Sequence, residues 1–277
     1  MTSPTVPRRS FIRAAAATAA GISIIPSHVM GKALGHTAPS DKLNIAGIGV
    51  GGKGHVNLEA MNTEKIIALC DVDWNYAQEC FNDFPSAKRY WDWRRMFDEM
   101  GREIDAVMIA TADHTHAIIA ATAMTLGKHV YCQKPLTHSV YESRLLTRLA
   151  RESKVATQMG NQGNSAPEAR TVEEWIWAGE IGEVTEVHAW TNRPIWPQGL
   201  ERPTRVMTPP PTMNWDLFIG PAPMRPYHEI YTPWNWRGWW DFGTGALGDM
   251  ACHILNPVFS ALQLEYPVRV QGSSTLV

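Results

Sequence analysis

The sequence predicts an α/β fold, a parallel sheet with crossover helices, and three observations carry that prediction. From Lys42 onward short apolar runs alternate with helical patterns; a glycine-rich turn, Gly49-Val50-Gly51-Gly52-Lys53-Gly54, follows the first run; and an acid, Asp71, ends the second. Residues 43–48 read as the first strand, 54–61 as the helix that returns from it, and 65–70 as a second buried strand. The alternation continues through a helical stretch near 74–81, a strand over 106–110, a helix over 116–126 and a strand over 129–132. An amphipathic helix over 139–152 and a short strand over 155–159 complete it.

Past Gly160 the composition changes. Nine of the twelve tryptophans lie beyond Arg170, which marks a second domain. Residues 168–178 predict a helix, and 183–192 alternate with period two, as a half-exposed strand does. Residues 194–233 hold too many prolines for regular elements and predict a long ordered loop over a site. A helix over 246–262 and a strand over 267–271 follow. One or two strands cannot bury a domain, so the expectation is that the sequence is a C-terminally truncated piece of a longer protein. The domains divide as 1–40, 41–163 and 164–277.

At 277 residues, with 44% apolar and 19% charged, the chain is globular rather than disordered. A net charge of −2 without a long basic run leaves no electrostatic footprint for nucleic acid, so the expected partner is a small molecule. Cys70, Cys80, Cys132 and Cys252 form no C-x-x-C pair and read as buried small hydrophobes. Near the start, Arg8 and Arg9 precede an apolar run over 14–25 that Thr18 and Gly21 interrupt and that is too short to span a bilayer. Residues 1–40 thus read as a twin-arginine signal peptide and linker. The signal predicts export of a folded protein, to the periplasm or otherwise out of the cytoplasm by the twin-arginine pathway, with no stable membrane span afterwards.

Gly49-x-Gly51-x-x-Gly54 lies between a strand and a helix, and Asp71 comes seventeen residues later at the end of the next strand, a dinucleotide-binding arrangement. Gly49 permits the tight turn, Gly51 lets a pyrophosphate approach the backbone, and Gly54 lets the helix pack with its N-terminus toward the phosphates. Gly52 permits a second register, Gly47-x-Gly49-x-x-Gly52, which starts inside the strand. Asp71 is placed to accept hydrogen bonds from both adenosine ribose hydroxyls and to repel a 2′-phosphate, which favours NAD over NADP.

Thr111 and the turn Asp113-His114-Thr115-His116 follow the strand over 106–110, and ligands of open parallel sheets sit outside the carboxyl ends of strands. Two readings stand for His114, a cofactor contact or the start of a helix. A zinc site on His114 and His116 lacks a further Cys or acid at ligand spacing. Gln133, Lys134 and Pro135 follow the next strand on the same edge, which makes Lys134 a functional lysine. Asp249 and His253, four apart, share a helix face. Asp249 orients the imidazole or contacts a substrate hydroxyl, and His253 is the group type that exchanges a proton near neutral pH; a purely structural pair is the other reading. Trp234, Trp236, Trp239 and Trp240 either offer faces to a pyranose ring or pack as core.

Together the glycine turn with Asp71, the stretch from Thr111 to His116, Cys132-Gln133-Lys134-Pro135, Gly160-Asn161-Gln162-Gly163 and the Asp249/His253 pair resemble the glucose-fructose oxidoreductase, inositol dehydrogenase and MocA (Gfo/Idh/MocA) family. The resemblance runs over nearly everything from Lys42 onward. It implies a Rossmann domain that binds NAD(P), followed by an incomplete α/β substrate domain whose open antiparallel sheet carries a carbohydrate substrate and a homo-oligomer contact. It also implies Gly49, Gly51, Gly52, Gly54, Asp71, Thr111, His116, Gln133, Lys134 and Asn161 at the cofactor and Lys134, Asp249 and His253 as catalytic residues, with no metal. Gln133 stands where most members have Glu, and an amide supplies no negative charge beside Lys134, which makes the lysine easier to deprotonate. The implied activity is hydride transfer between the hydroxyl carbon of a sugar, polyol or glycoside and nicotinamide. The alternatives are glycoside cleavage through transient use of tightly held NAD and a cofactor-binding protein without catalysis.

Overall fold

In the computed structural model, which describes residues 41–193 and 195–273, six strands pair in parallel. They are β1 (Asn44–Ile48), β2 (Lys65–Cys70), β3 (Lys88–Tyr90), β4 (Ala106–Ile109), β5 (His129–Gln133) and β6 (Thr157–Gly160), in the order β3-β2-β1-β4-β5-β6. The direction of winding reverses between β1 and β4, which opens a crevice at the carboxyl ends of the strands. Helices α1 (Lys53–Ala60), α2 (Gln78–Asp83), α3 (Trp93–Met100), α4 (Asp113–Thr125) and α5 (Val140–Ser153) make the connections. Strand β3 and helix α3 escape the sequence pattern because β3 is three residues long and buries only Tyr90. The helix expected near 74–81 starts at Gln78, because the Asp73 carboxylate accepts the N–H groups of Asn75 (3.1 Å) and Tyr76 (3.2 Å) and holds the intervening residues in a turn.

Alternation along the strands divides the core between the two faces. Ala46, Ile48, Cys70, Val107, Ile109 and Cys132 pack on one side, and Ile45, Leu69 and Met108 on the other. A register shift between Ile45 and Ala46, where β1 meets β2, turns Ile67 and Ala68 to the same side and keeps Asp71 level with the glycine turn. Cys70, Cys80 and Cys132 are buried and Cys252 is half-buried, all as free thiols.

Beyond Gly160 the described residues form helices α6 (Pro167–Ala178), α7 (Trp215–Ile219), α8 (Gly245–Ile254) and α9 (Asn256–Ala261), with two short 3₁₀ turns and no further strand. The single helix expected over 246–262 is thus two, divided where Pro257, which has no N–H to give, occupies the first turn of α9. The strands expected over 183–192 and 267–271, and with them the open antiparallel sheet, are irregular backbone. A strand points its N–H and C=O groups sideways and needs a neighbour to bond them; period-two alternation alone does not supply one. The twin-arginine segment lies outside the described residues. No helix of the described residues is long and apolar enough to cross a membrane.

The proline-rich stretch runs back over the sheet edge. Trp74 donates to the Thr212 carbonyl (2.8 Å) and Asn214 to that of Val72 (2.8 Å), around an antiparallel bridge between Asp73 and Met213. A third core then forms from Trp215, Phe218, Tyr227, Tyr231, Trp239 and Phe242. Phe242 is completely buried, edge-on to Trp215, Phe218 and Tyr231 and below the Arg225 guanidinium, which pairs with Asp241. Phe242→Ala is expected to lower the free energy of unfolding by about 3–5 kcal/mol, measured by urea denaturation.

Candidate active site

The glycine turn closes β1 against the end of β4. Gly49 has φ +75°, and a Cβ there would stand 2.6 Å from the Thr111 nitrogen, so only glycine fits. A Cβ on Gly54 would collide with the Gly49 carbonyl oxygen, which lets α1 begin directly beneath the turn. The helix starts at Lys53 with Gly52 before it, and Gly47 lies inside β1 against Leu58, so the turn follows the register that begins at Gly49. Tyr76 lays its ring against Gly51 and its hydroxyl over Gly52.

Asp71 follows β2 and is tied to the same turn. Its Oδ2 accepts the N–H groups of Val50 (2.7 Å) and Gly51 (3.1 Å), and its Oδ1 accepts that of Asp73 (2.9 Å). Burial raises its pKa to about 6 against the opposing pull of these three amides. A ribose diol at this position therefore shares a carboxylate that already holds the turn.

A cavity of about 370 Å³ opens along the carboxyl ends of the strands. Gly49, Asp71 and Thr111 form one wall, and Phe218, Trp234 and Arg237 from the second half of the chain form the other. The turn after β4 supports it from behind. His114 Nε2 lies 2.9 Å from the Phe218 carbonyl and Nδ1 3.2 Å from that of Phe242; burial drives its pKa down to about 4, so a neutral ring donates to Phe218, the shorter contact. Its ring thus joins the two walls as well as lining the cavity.

His116 does not line the cavity, contrary to the cofactor contact expected of it. It is buried, with Nδ1 2.8 Å from the Pro135 carbonyl and Nε2 3.0 Å from that of Thr111. Both ring nitrogens face carbonyl oxygens, as those of His114 do, and the charged neighbours decide the difference. Burial opposes the cation, yet the Cys132 sulfur, Asp113 and the Pro135 carbonyl outweigh it and lift the pKa to about 9. An imidazolium therefore braces the loop that carries Lys134.

Helix α8 lies across the ends of three neighbouring strands, each of which sends it one side chain. Asp113 Oδ2 accepts the N–H (3.0 Å) and hydroxyl (2.9 Å) of Thr244, just before the helix. Lys134 Nζ, after β5, donates to Asp249 Oδ1 (2.6 Å) and to its carbonyl (3.1 Å). Asn161 Nδ2, after β6, donates to the Cys252 carbonyl (2.7 Å). Asp249 thus supplies the negative charge beside Lys134 that Gln133 cannot. Its carboxylate faces Lys134, and the His253 ring has no hydrogen-bond partner among the described residues, so the imidazole is not oriented by Asp249. Burial, and after it the Lys134 cation, hold the His253 pKa below its ordinary value; Asp249 opposes them, and Arg193 and Lys53 add to them.

Gln133 Nε2 and Asn161 Oδ1 are buried on this edge and find no partner among the described residues. Such orphans call for a polar ligand. With the glycine cradle and Asp71 on the same sheet edge, they fit the polar groups of a dinucleotide. Of the tryptophans, Trp236 and Trp239 are buried in the third core, while Trp234 and Trp240 are exposed. The sequence reading missed Tyr76 and Arg237. Tyr76 carries no local signal, whereas an arginine set inside Trp234-Asn235-Trp236-Arg237-Gly238-Trp239-Trp240 does.

Residues 42–161 match the model of an oxidoreductase family with an NAD-binding Rossmann fold, and residues 177–274 match the C-terminal alpha/beta domain of the same family. The chain belongs to the Gfo/Idh/MocA family. A levoglucosan dehydrogenase of Pseudarthrobacter phenanthrenivorans is 25% identical over 71% of this chain and 42% of its own length. An inositol 2-dehydrogenase of Salmonella typhimurium is 26% identical over 53% of this chain and 44% of its own. Among solved structures, myo-inositol 2-dehydrogenase from Lactobacillus plantarum is 24% identical, with a TM-score of 0.47 over 52% of this chain and 43% of that one. The chain thus matches less than half the length of these relatives. The family's cofactor, NAD, is the dinucleotide that the cradle fits.

Two measurements check the electrostatics. NAD affinity is expected to fall about tenfold per pH unit below pH 6 as Asp71 takes up a proton, and Asp71→Asn to abolish that dependence; calorimetric titration reads both. For His116 the folded pKa is raised, so its contribution to stability is complete below about pH 6.5 and is lost as pH rises through about 9. Urea unfolding should lose about 3 kcal/mol across that window, and His116→Gln should flatten the loss.

Proposed function

We propose that the full-length protein is an exported, NAD-dependent oxidoreductase acting on a CH–OH group of a sugar, polyol or glycoside. The observation that carries this reading is the Lys134–Asp249 pair, with His253 within electrostatic reach of both, on the sheet edge that also holds the glycine turn and Asp71. NAD, when bound, accepts or returns the hydride. Lys134 donates to the substrate oxygen and stabilises the charge that develops there as the O–H proton departs. Asp249 fixes Lys134 by the 2.6 Å contact. His253, kept neutral by burial and by the Lys134 cation, takes the hydroxyl proton, and gives it back in the reverse direction.

Arg8 and Arg9 support export through the twin-arginine route, with NAD inserted before the folded protein crosses. The half-chain wall of Phe218, Trp234 and Arg237 over the cavity supports a second reading, in which NAD stays bound and is reduced and restored within one turnover of glycoside cleavage. Homo-oligomerisation through the C-terminal domain belongs to the same reading of the family. In the full-length protein His253→Ala is expected to cut kcat by about 10²- to 10⁴-fold, while mass analysis still recovers NAD from the denatured variant. Undiminished turnover in that variant overturns the assignment, and free NADH stoichiometric with product overturns the second reading.

A further inference from the structure

We propose that Arg237 recognises an anionic group on the substrate, so that the preferred substrate is a carboxylate-bearing sugar, a uronate, rather than a neutral sugar or polyol. The inference rests on the oxidoreductase reading above and deepens it. Arg237 belongs to the 3₁₀ turn Asn235–Gly238, and its side chain is only 18% exposed. The guanidinium carbon lies 4.0 Å from the centre of the Trp234 ring and 4.2 Å from that of Trp236. Nη1 donates to the Trp234 carbonyl (3.2 Å), Nε stands 3.7 Å from Asp249 Oδ1, and Nη2 has no hydrogen-bond partner among the described residues. The side chain reaches both the cavity and the Lys134–Asp249 pair.

The charges around Arg237 and the Lys134–Asp249 pair do not balance. One carboxylate, Asp249, serves two cations, Lys134 at 2.6 Å and Arg237 at 3.7 Å. Asp113, the other buried acid nearby, also favours the Arg237 cation, but its carboxylate is committed to Thr244 and shared with the His116 ring. His253 feels the same surplus, since Lys134, Arg193 and Lys53 all oppose its protonation and Asp249 alone among the charges near it favours it. Lys53 stands beside the glycine turn, where the cofactor's phosphates go; Arg237 and Lys134 stand at the Asp249 end, where the reacting hydroxyl goes. A largely buried cation in excess is costly unless an anion arrives to meet it. Arginine held between indole faces presents a rigid planar fork, the geometry that suits a carboxylate bidentately and that hydroxyls do not require.

The test uses the full-length protein with NAD and two matched pairs, glucuronate against glucose and galacturonate against galactose. The expected result is a kcat/KM for each uronate about 10- to 100-fold above that for its hexose. Arg237→Gln should collapse that ratio, chiefly through KM, and Arg237→Lys should restore part of it. Calorimetry of uronate binding to the NAD-loaded His253→Ala variant, with and without Arg237→Gln, gives a readout free of turnover. Preference for the neutral sugars overturns the proposal. So does an Arg237→Gln variant that loses both activities equally with a lowered Tm, which marks a structural role, or one that loses NAD affinity with the ratio intact, which assigns Arg237 to the cofactor. If no sugar is oxidised, the oxidoreductase reading fails and calorimetry still decides this one: uronate binding that Arg237→Gln removes supports it, and no uronate binding overturns it.

Discussion

Helix α8 is held across the sheet by polar side chains from three successive strand ends, Asp113 at its start, Lys134 at its middle and Asn161 near its end. The rest of the site depends on that docking. Without it, His253 and Asp249 would share a helix face and nothing more. With it, a residue from the second half of the chain meets a lysine from the first, 115 positions away in sequence. A buried ion pair adds little net stability beyond the cost of desolvating its partners, but breaking it leaves an uncompensated charge that costs several kcal/mol. The pair is therefore best understood as an orienting device, and its short hydrogen bond sets where the lysine's ammonium stands.

The glycine turn shows the same economy of groups. Asp71 bonds the backbone of the turn and lines the cavity at once, so the residue that faces the adenosine end also shapes the loop meant for the phosphates. Tyr76 covers the turn from outside and is brought there because Asp73 stops the chain from entering helix α2 too early. Binding, turn geometry and the titration of a single carboxylate are thereby coupled.

The turn after β4 separates residue type from residue role. Two histidines two residues apart invite a metal or cofactor reading, yet both work as struts. Burial keeps His114 neutral between the aromatic core and the sheet, while acids and carbonyls around His116, against the same burial, hold a second charge beneath the Lys134 loop. The difference lies in neighbours contributed by remote parts of the chain, Phe218 and Phe242 for one and Cys132 and Pro135 for the other.

The sequence by itself determined the alternation of β1, β2, β4, β5 and β6 with helices, the glycine turn and the acid after β2, because period, buried apolar runs and positive-φ glycines are local properties that each residue carries with it. It also placed Gln133 and Lys134 on the edge of the glycine turn, since every parallel strand ends on the same side. It did not reveal β3, too short to show a pattern, nor the division at Pro257 of a helix whose apolar spacing runs on unbroken. It overstated two strands after Gly160, because alternation describes faces and not partners. Only the tertiary structure decided that Asp249 pairs with Lys134, that His116 is spent on carbonyls, and that Arg237 leans from two indoles toward the same carboxylate. Those choices depend on distance and burial between segments far apart in sequence, and no local pattern encodes either.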